Sequence, residues 1–106
     1  MADDCAPEIE AALDDPLLKA LSDPTRTALV RVLAQLGRAD IATLADAFPQ
    51  DRSVISRHLK VLHDAGVVRA SKDGRHVVYA LDGAALVDRL ERLLETARAI
   101  VARCCP

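Results

Sequence analysis

The chain has 106 residues, which is enough for one compact domain and too few for two, so we expect a single domain spanning residues 1–106. Hydrophobic residues make up 51% of it, yet there is one Phe, one Tyr and no Trp, a composition that favours packed helices over a β-sandwich. The net charge of −2 lacks the basic surplus usual in nucleic-acid-binding domains, and the acidic N-terminus and the lack of any long apolar run predict a cytoplasmic protein with no membrane partner.

The first predicted elements are helices. Residues 1–21 form an N-terminal arm in which short apolar stretches, interrupted by Pro16, indicate one or two short helices. A helical core is predicted over residues 23–65, and it begins with Asp23-Pro24, an N-cap followed by proline at the first helical position. Within it, apolar residues at helical spacing indicate a short helix from Ile41 to Phe48.

A helix over residues 52–65 follows, with Asp51 as its N-cap and Gly66 just past its end. At 100° per residue, four polar side chains fall away from the apolar stripe of this helix. They are Ser53, Ser56, Arg57 and Lys60. Two hydroxyls and two cations suit a groove of DNA, because each can bond a base edge or a phosphate. We therefore predict that this is a recognition helix.

Residues 67–81 predict a β-hairpin. β-Branched residues flank Asp73-Gly74, a strong signal for a tight hairpin turn. We expect Val77, Tyr79 and Leu81 to face the core. The region of the turn would then present basic side chains to solvent, as a wing beside the recognition helix. These are Lys72, Arg75 and His76.

The last element is a long helix over residues 84–105. Its apolar stripe needs a partner, and in so small a domain we expect Leu90 and Leu93 to lack cover from their own chain. The partner we predict is the same helix of a second subunit, which gives a two-fold homodimer.

This order of elements is that of a winged helix-turn-helix, mainly α with a small β-hairpin. The chain resembles the ArsR/SmtB family of metalloregulatory repressors over residues 17–81. The matching segments are Leu21-Ser-Asp-Pro-Thr-Arg26, Ser53-Val-Ile-Ser-Arg-His-Leu-Lys-Val-Leu62, Ala65-Gly-Val-Val68 and Gly74-Arg-His-Val-Val-Tyr79. The resemblance implies a dimer that represses when ion-free and leaves double-stranded operator DNA when the ion binds. The predicted DNA contacts are Arg52, Ser53, Ser56, Arg57, Lys60, Lys72, Arg75 and His76.

Two sites common in that family are missing. Asp40-Ile41-Ala42 stands in place of the family's Cys-x-Cys motif, and the terminal helix supplies no imidazole for a zinc site. The remaining candidate ligands for a soft metal ion are the thiols of Cys5, Cys104 and Cys105. We expect these thiols to be reduced, with no disulfide framework. The resemblance then favours trivalent arsenic or antimony as the inducer, with no organic cofactor. Cys5 could join the adjacent pair within a subunit or between subunits.

Other functions remain open. The same repressor could respond to cadmium, lead or mercury, or to thiol oxidation. A thiol oxidoreductase is disfavoured because the cysteines lack a Cys-x-x-Cys helix start, so we predict that the chain is not an enzyme. A winged-helix adaptor for a protein partner would differ from a DNA binder in its salt dependence.

Overall fold

A computed structural model of the chain describes residues 5–104. Within them the elements, in chain order, are α1 (Ala6–Leu13), α2 (Pro16–Ala20), α3 (Pro24–Leu36), β1 (Arg38–Asp40), α4 (Ile41–Asp46), α5 (Arg52–Asp64), β2 (Val68–Asp73), β3 (His76–Leu81) and α6 (Gly83–Cys104). Helices predominate, and the strands form one antiparallel sheet in the order β1-β3-β2. The predicted fold class, mainly α with a small hairpin, is confirmed.

Aspartate side chains cap four of these helices, among them α6, where Asp82 accepts a hydrogen bond from the backbone N–H of Ala85. Asp23 Oδ1 accepts hydrogen bonds from the backbone N–H groups of Thr25 and Arg26, at 2.8 and 3.1 Å. Asp15 and Asp40 cap α2 and α4 in the same way. Each bond satisfies a backbone donor that the first helical turn leaves unpaired. Asp51 occupies the N-cap position of α5 as expected, but its side chain makes no capping hydrogen bond.

The sheet contains one strand that the sequence did not predict. β1 pairs with β3, with Ala39 opposite Tyr79, and β2 pairs with the other edge of β3. The hairpin turn consists of Gly74 and Arg75, one residue after the predicted Asp73-Gly74, because Asp73 still pairs with His76 at the end of the strands. Gly74 has a φ of +64°, a conformation that glycine adopts without strain. The wing is therefore the outer part of a three-stranded sheet.

The core lies between α2, α3, α4, α5 and the start of β2. Its largest fully buried side chains are Leu17, Leu29, Leu33, Leu44, Ile55, Leu59, Leu62, Val67 and Val68. Tyr79 and Leu81 pack against it as expected. The prediction that Val77 faces the core is wrong, because its side chain remains 39% exposed. Val77 shares the face of Tyr79 and Leu81 on β3 but lies nearer the turn, beyond the edge of the core.

α6 contacts this core through Leu86, near its start. None of its residues is fully buried, and it packs mainly against α1. Leu93 is half-buried and lines a cavity between α6 and α1, so the expectation that its own chain leaves it uncovered is wrong. Leu90 is 48% exposed, as expected. Among residues 5–104, no helix has the length and apolar character needed to cross a membrane.

Candidate DNA interface and cysteine pair

α5 presents one polar face to solvent. Its apolar side chains Ile55, Leu59 and Leu62 are fully buried and fix the helix on the core. The predicted DNA contacts of this helix are all exposed on its other side. They are Arg52, Ser53, Ser56, Arg57 and Lys60. The structure thus brings together the hydroxyls and cations that the sequence placed on one face.

An acidic residue lies at the end of this face. Lys60 Nζ is 3.2 Å from Asp64 Oδ2, one helical turn away, and His63 Nδ1 is 3.2 Å from the other carboxylate oxygen. The side-chain hydrogen bond from His63, followed by that from Lys60, lowers the pKa of Asp64. The carboxylate therefore stays ionised at neutral pH and partly neutralises Lys60.

The wing places its basic residues beside α5. Lys72, Arg75 and His76 are all exposed. An open groove of about 300 Å³ separates the wing from the helix, and Ser56 and Lys60 of the DNA face line it. Ala70 and Tyr79 of the sheet line it as well, so two of the predicted helix contacts and the base of the wing share one concave surface.

An arginine–aspartate ion pair and a histidine–aspartate contact join the wing to β1. Arg38 Nη2 lies 3.0 Å from Asp73 Oδ2 at the turn, and His76 Nδ1 lies 3.7 Å from Asp40 Oδ2. The pKa of the Asp40 carboxyl is lowered, first by the backbone N–H of Thr43 and, to a smaller degree, by the charge of His76. The missed strand β1 therefore anchors the wing.

Cys5 and Cys104 meet at the far end of α6. Cys5 is the buried N-cap residue of α1 and Cys104 is the last residue of α6, and the two form a disulfide with their Cα atoms 6.1 Å apart. The expectation that the chain contains no disulfide is wrong for this pair. The physical reason is that α1 packs along α6, which brings together sulfurs 99 residues apart in sequence. Cys105 lies outside the described residues.

The surroundings of the pair are partly charged. Arg103 pairs with Glu8 across α1 and α6, and both side chains line a cavity of about 470 Å³ between the two helices. Within residues 5–104 there is no group of three or more His, Cys, Asp or Glu side chains that could hold a metal ion. The described part of the chain thus supplies two soft ligands and no complete site.

Arg26 is the interacting residue that sequence reasoning missed. Its guanidinium bonds the backbone at the end of α2 and also His58 of α5. The ring of His58 therefore bonds a side chain of another helix. The signal available in the sequence was the position of Arg26 in the first turn of α3, three residues after its N-cap.

Comparison with known proteins identifies the family. Residues 23–70, which cover α3 to β2, match the model of the bacterial regulatory protein, arsR family. A solved structure described as a possible transcriptional regulator for arsenical resistance is similar at 41% identity and a TM-score of 0.66, over 77% of this chain and 82% of that one. The chain belongs to the arsR family. It is thus a DNA-binding transcriptional regulator with a winged helix-turn-helix fold, and the prediction that it is not an enzyme is confirmed.

Two further proteins are similar to this arsR-family chain. The arsenical resistance operon repressor of Escherichia coli K12 is 38% identical over 65 residues, which are 61% of this chain and 56% of that repressor. The chain thus spans little more than half of its length. The homodimeric winged helix-turn-helix DNA-binding domain of Mb0332 from Mycobacterium bovis is similar at 25% identity and a TM-score of 0.64, over 93% of this chain and 88% of that one.

Proposed function

We propose that this regulator is a homodimeric, cytoplasmic repressor that leaves its operator when trivalent arsenic or antimony binds its cysteines. The observation that carries the proposal is the meeting of Cys5 and Cys104, because two thiols held together are a binding unit for a thiophilic ion. The similarity to two proteins named for arsenical resistance supports the choice of ion.

Operator DNA is bound by α5 and the wing. The exposed face of α5 enters the major groove, where Ser53 and Ser56 reach base edges and Arg52, Arg57 and Lys60 reach phosphates. Lys72, Arg75 and His76 contact the neighbouring backbone from the wing. Because its partner is operator DNA, the protein acts in the cytoplasm.

The two subunits join through the α1/α6 face, the exposed apolar surface of the N-terminal helices and α6. Its members are Ile9, Leu13, Leu18, Val87, Leu90, Leu94 and Val101. An apolar cavity of about 310 Å³ between α1 and α6 opens on this face. So many exposed aliphatic side chains are typical of an interface, and the homodimeric relative of similar fold supports a second copy as the partner.

The inducer binds the reduced cysteines. Thiolates are soft ligands, and Cys5 and Cys104 fit a soft ion because the fold already brings their sulfurs together. Trivalent arsenic and antimony take three sulfurs, and Cys105, next in sequence to Cys104, supplies the third. A methylated trivalent arsenic would need only two of them.

A mobility-shift titration tests the inducer. The full-length protein, reduced and then freed of reductant without air, is bound to the promoter upstream of its own gene and titrated with arsenite, methylarsenite, antimonite, cadmium and zinc. We expect trivalent arsenic or antimony to release the DNA, and Cys104→Ser or Cys105→Ser to abolish release while leaving DNA affinity unchanged. Full release from a protein in which all three cysteines are serine would exclude a cysteine-based sensor.

A matched pair of variants tests the DNA face. Arg57→Ala should weaken binding to every duplex and reduce the salt slope by roughly one for each phosphate that Arg57 neutralises in the original protein. Ser53→Ala should instead relax sequence preference at constant salt slope. If both variants bind like the original protein, α5 does not enter the groove through this face.

A second input, thiol oxidation, is favoured by the disulfide itself. In that case Cys5 and Cys104 are reduced in the repressor, and hydrogen peroxide takes two electrons and two protons from their thiols, forming the disulfide and two water molecules. Peroxide would then release the operator in the absence of any metal ion, and Cys104→Ser would prevent it. Release by arsenite alone would leave only the metalloid as the input.

A further inference from the structure

The side chain of Arg26 connects three helices. It projects from the first turn of α3, and its Nε and Nη2 donate hydrogen bonds to the carbonyls of Ala20 and Lys19, at 2.8 and 3.1 Å. These carbonyls belong to the last turn of α2, and that of Lys19 also accepts hydrogen bonds from the backbone N–H and the Oγ of Ser22, at 3.2 and 2.7 Å. One guanidinium therefore fixes the end of α2 to the start of α3.

The remaining guanidinium nitrogen, Nη1, contacts α5. Arg26 Nη1 lies 3.2 Å from Nδ1 of His58, a half-buried residue next to Arg57. A guanidinium can only donate, so Nδ1 is the acceptor and the proton of the neutral imidazole sits on Nε2. The contact is therefore directional and requires the orientation that α5 has in this structure.

The other contacts of α5 with the core are mainly apolar. Ile55 and Leu59 hold it by close packing, which resists large rotations of the helix, whereas a hydrogen bond at one point also selects among the small ones. We infer that Arg26 is a positioning residue for operator recognition, and that its bond to His58 sets the rotation at which α5 presents its base-reading side chains. The inference rests on the proposed entry of α5 into the groove.

Specific and non-specific binding should respond differently when this bond is removed. Phosphate contacts tolerate small rotations because charge acts at a distance, whereas hydrogen bonds to base edges do not. Arg26→Lys keeps the charge but cannot bond two carbonyls and an imidazole together. We expect about tenfold weaker binding to the operator, the effect of one charge-assisted hydrogen bond, and less than about twofold change on a scrambled duplex.

Substitutions at His58 provide the matched pair. His58→Leu removes the acceptor and should reproduce the tenfold weakening, whereas His58→Asn keeps an acceptor near the Nδ1 position and should stay within about threefold of the original affinity. The double variant Arg26→Lys/His58→Leu should be no weaker than either single variant, because both remove the same bond. If the contact between Arg26 and His58 had only a structural role, His58→Asn and His58→Leu would weaken operator binding equally.

The measurement is fluorescence anisotropy with the full-length protein. The probes are a duplex selected by this protein from a random library and a scrambled duplex of the same length, with melting temperature and light scattering recorded for each variant. Equal weakening on the two duplexes, equal weakening by His58→Asn and His58→Leu, or additive effects in the double variant would each overturn the inference. If Arg26→Lys fails to fold, the two His58 variants decide alone. Arg57→Ala and Ser53→Ala separate the two failures. If both bind like the original protein, the DNA face on which the inference rests is wrong; if they change DNA binding while Arg26→Lys does not, only the positioning role is wrong.

Discussion

Dimerisation through the α1/α6 face can be tested at Leu90. This side chain is 48% exposed near the middle of α6, so half of its surface is available for a second subunit to cover. Full burial of a leucine contributes about 1.5–3 kcal/mol, and burial of the remaining half therefore contributes about 1 kcal/mol. A two-fold interface contains two copies, so Leu90→Ala should weaken dimerisation by about 2 kcal/mol, which raises the dissociation constant roughly 30-fold.

Leu36 is the matched control for this substitution. It is 52% exposed at the end of α3 and does not belong to the α1/α6 face. Sedimentation equilibrium over a dilution series should give the 30-fold change for Leu90→Ala and none for Leu36→Ala. Leu90→Asp should leave only monomer, because two carboxylates would have to be buried near each other. A Leu90→Ala dimer that dissociates within threefold of the original protein would move the interface elsewhere.

Three further predictions concern charge, redox state and pH. Asp64→Asn should tighten binding to every duplex, measured as a higher affinity at fixed salt, because it frees Lys60 and removes a carboxylate beside the DNA face. A reductant should lower the free energy of unfolding in urea by up to about 4.7 kcal/mol, since the Cys5–Cys104 bond closes a loop of nearly the whole chain, whereas the unfolding of Cys104→Ser should not respond to it. The pKa of the Asp23 carboxyl is lowered, chiefly by the backbone N–H of Arg26, so its contribution to stability is complete above about pH 4 and is lost as the pH falls through the lowered native pKa. Asp23→Asn, which still accepts hydrogen bonds, should make the fall in melting temperature below pH 4 shallower.

Elements with local signals were predictable from the sequence. Asp23-Pro24 begins α3 because an aspartate cap and a proline at the first position act within one turn. Gly66 lies one residue beyond the C-cap of α5, with a φ of +80°, and Gly74 is in the hairpin turn, within one residue of the predicted position. The exposed face of α5 followed from periodicity alone. In each case the physical cause lies within a few residues of its effect.

Features that depend on distant contacts were not predictable. β1 has three residues and no alternating pattern, and it forms because β3 offers a free edge. Leu93 is partly covered because α1 packs along α6, and the same packing brings Cys5 to Cys104. The bond from Arg26 to His58 spans 32 residues. No pattern within a single helix or strand contains this information.

The position of the cysteine pair restricts how it can control DNA binding. α6 has 22 residues and is therefore about 33 Å long, with Cys104 at its far end. The near end of α6 is fixed to the DNA-binding part by two contacts. The backbone N–H of Asp82 donates a hydrogen bond to the carbonyl of Val67 at 2.9 Å. The side chain of Arg89 covers Gly66 so closely that a Cβ on residue 66 would lie 3.2 Å from Arg89 Nε. Because α6 and α5 are joined at this junction, an ion at the cysteines cannot turn α5 independently of α6.

In the proposed dimer, the contact between the two subunits is then the part that ion binding would change. In the proposed function, a soft ion at Cys5 and Cys104 would change how α1 lies on α6, and these two helices form the α1/α6 face through which we propose that the dimer assembles. A change in that face alters the spacing of the two copies of α5, which must match successive grooves of the operator. Linkage makes the effect reciprocal, so operator DNA must weaken ion binding by the same factor by which the ion weakens DNA binding.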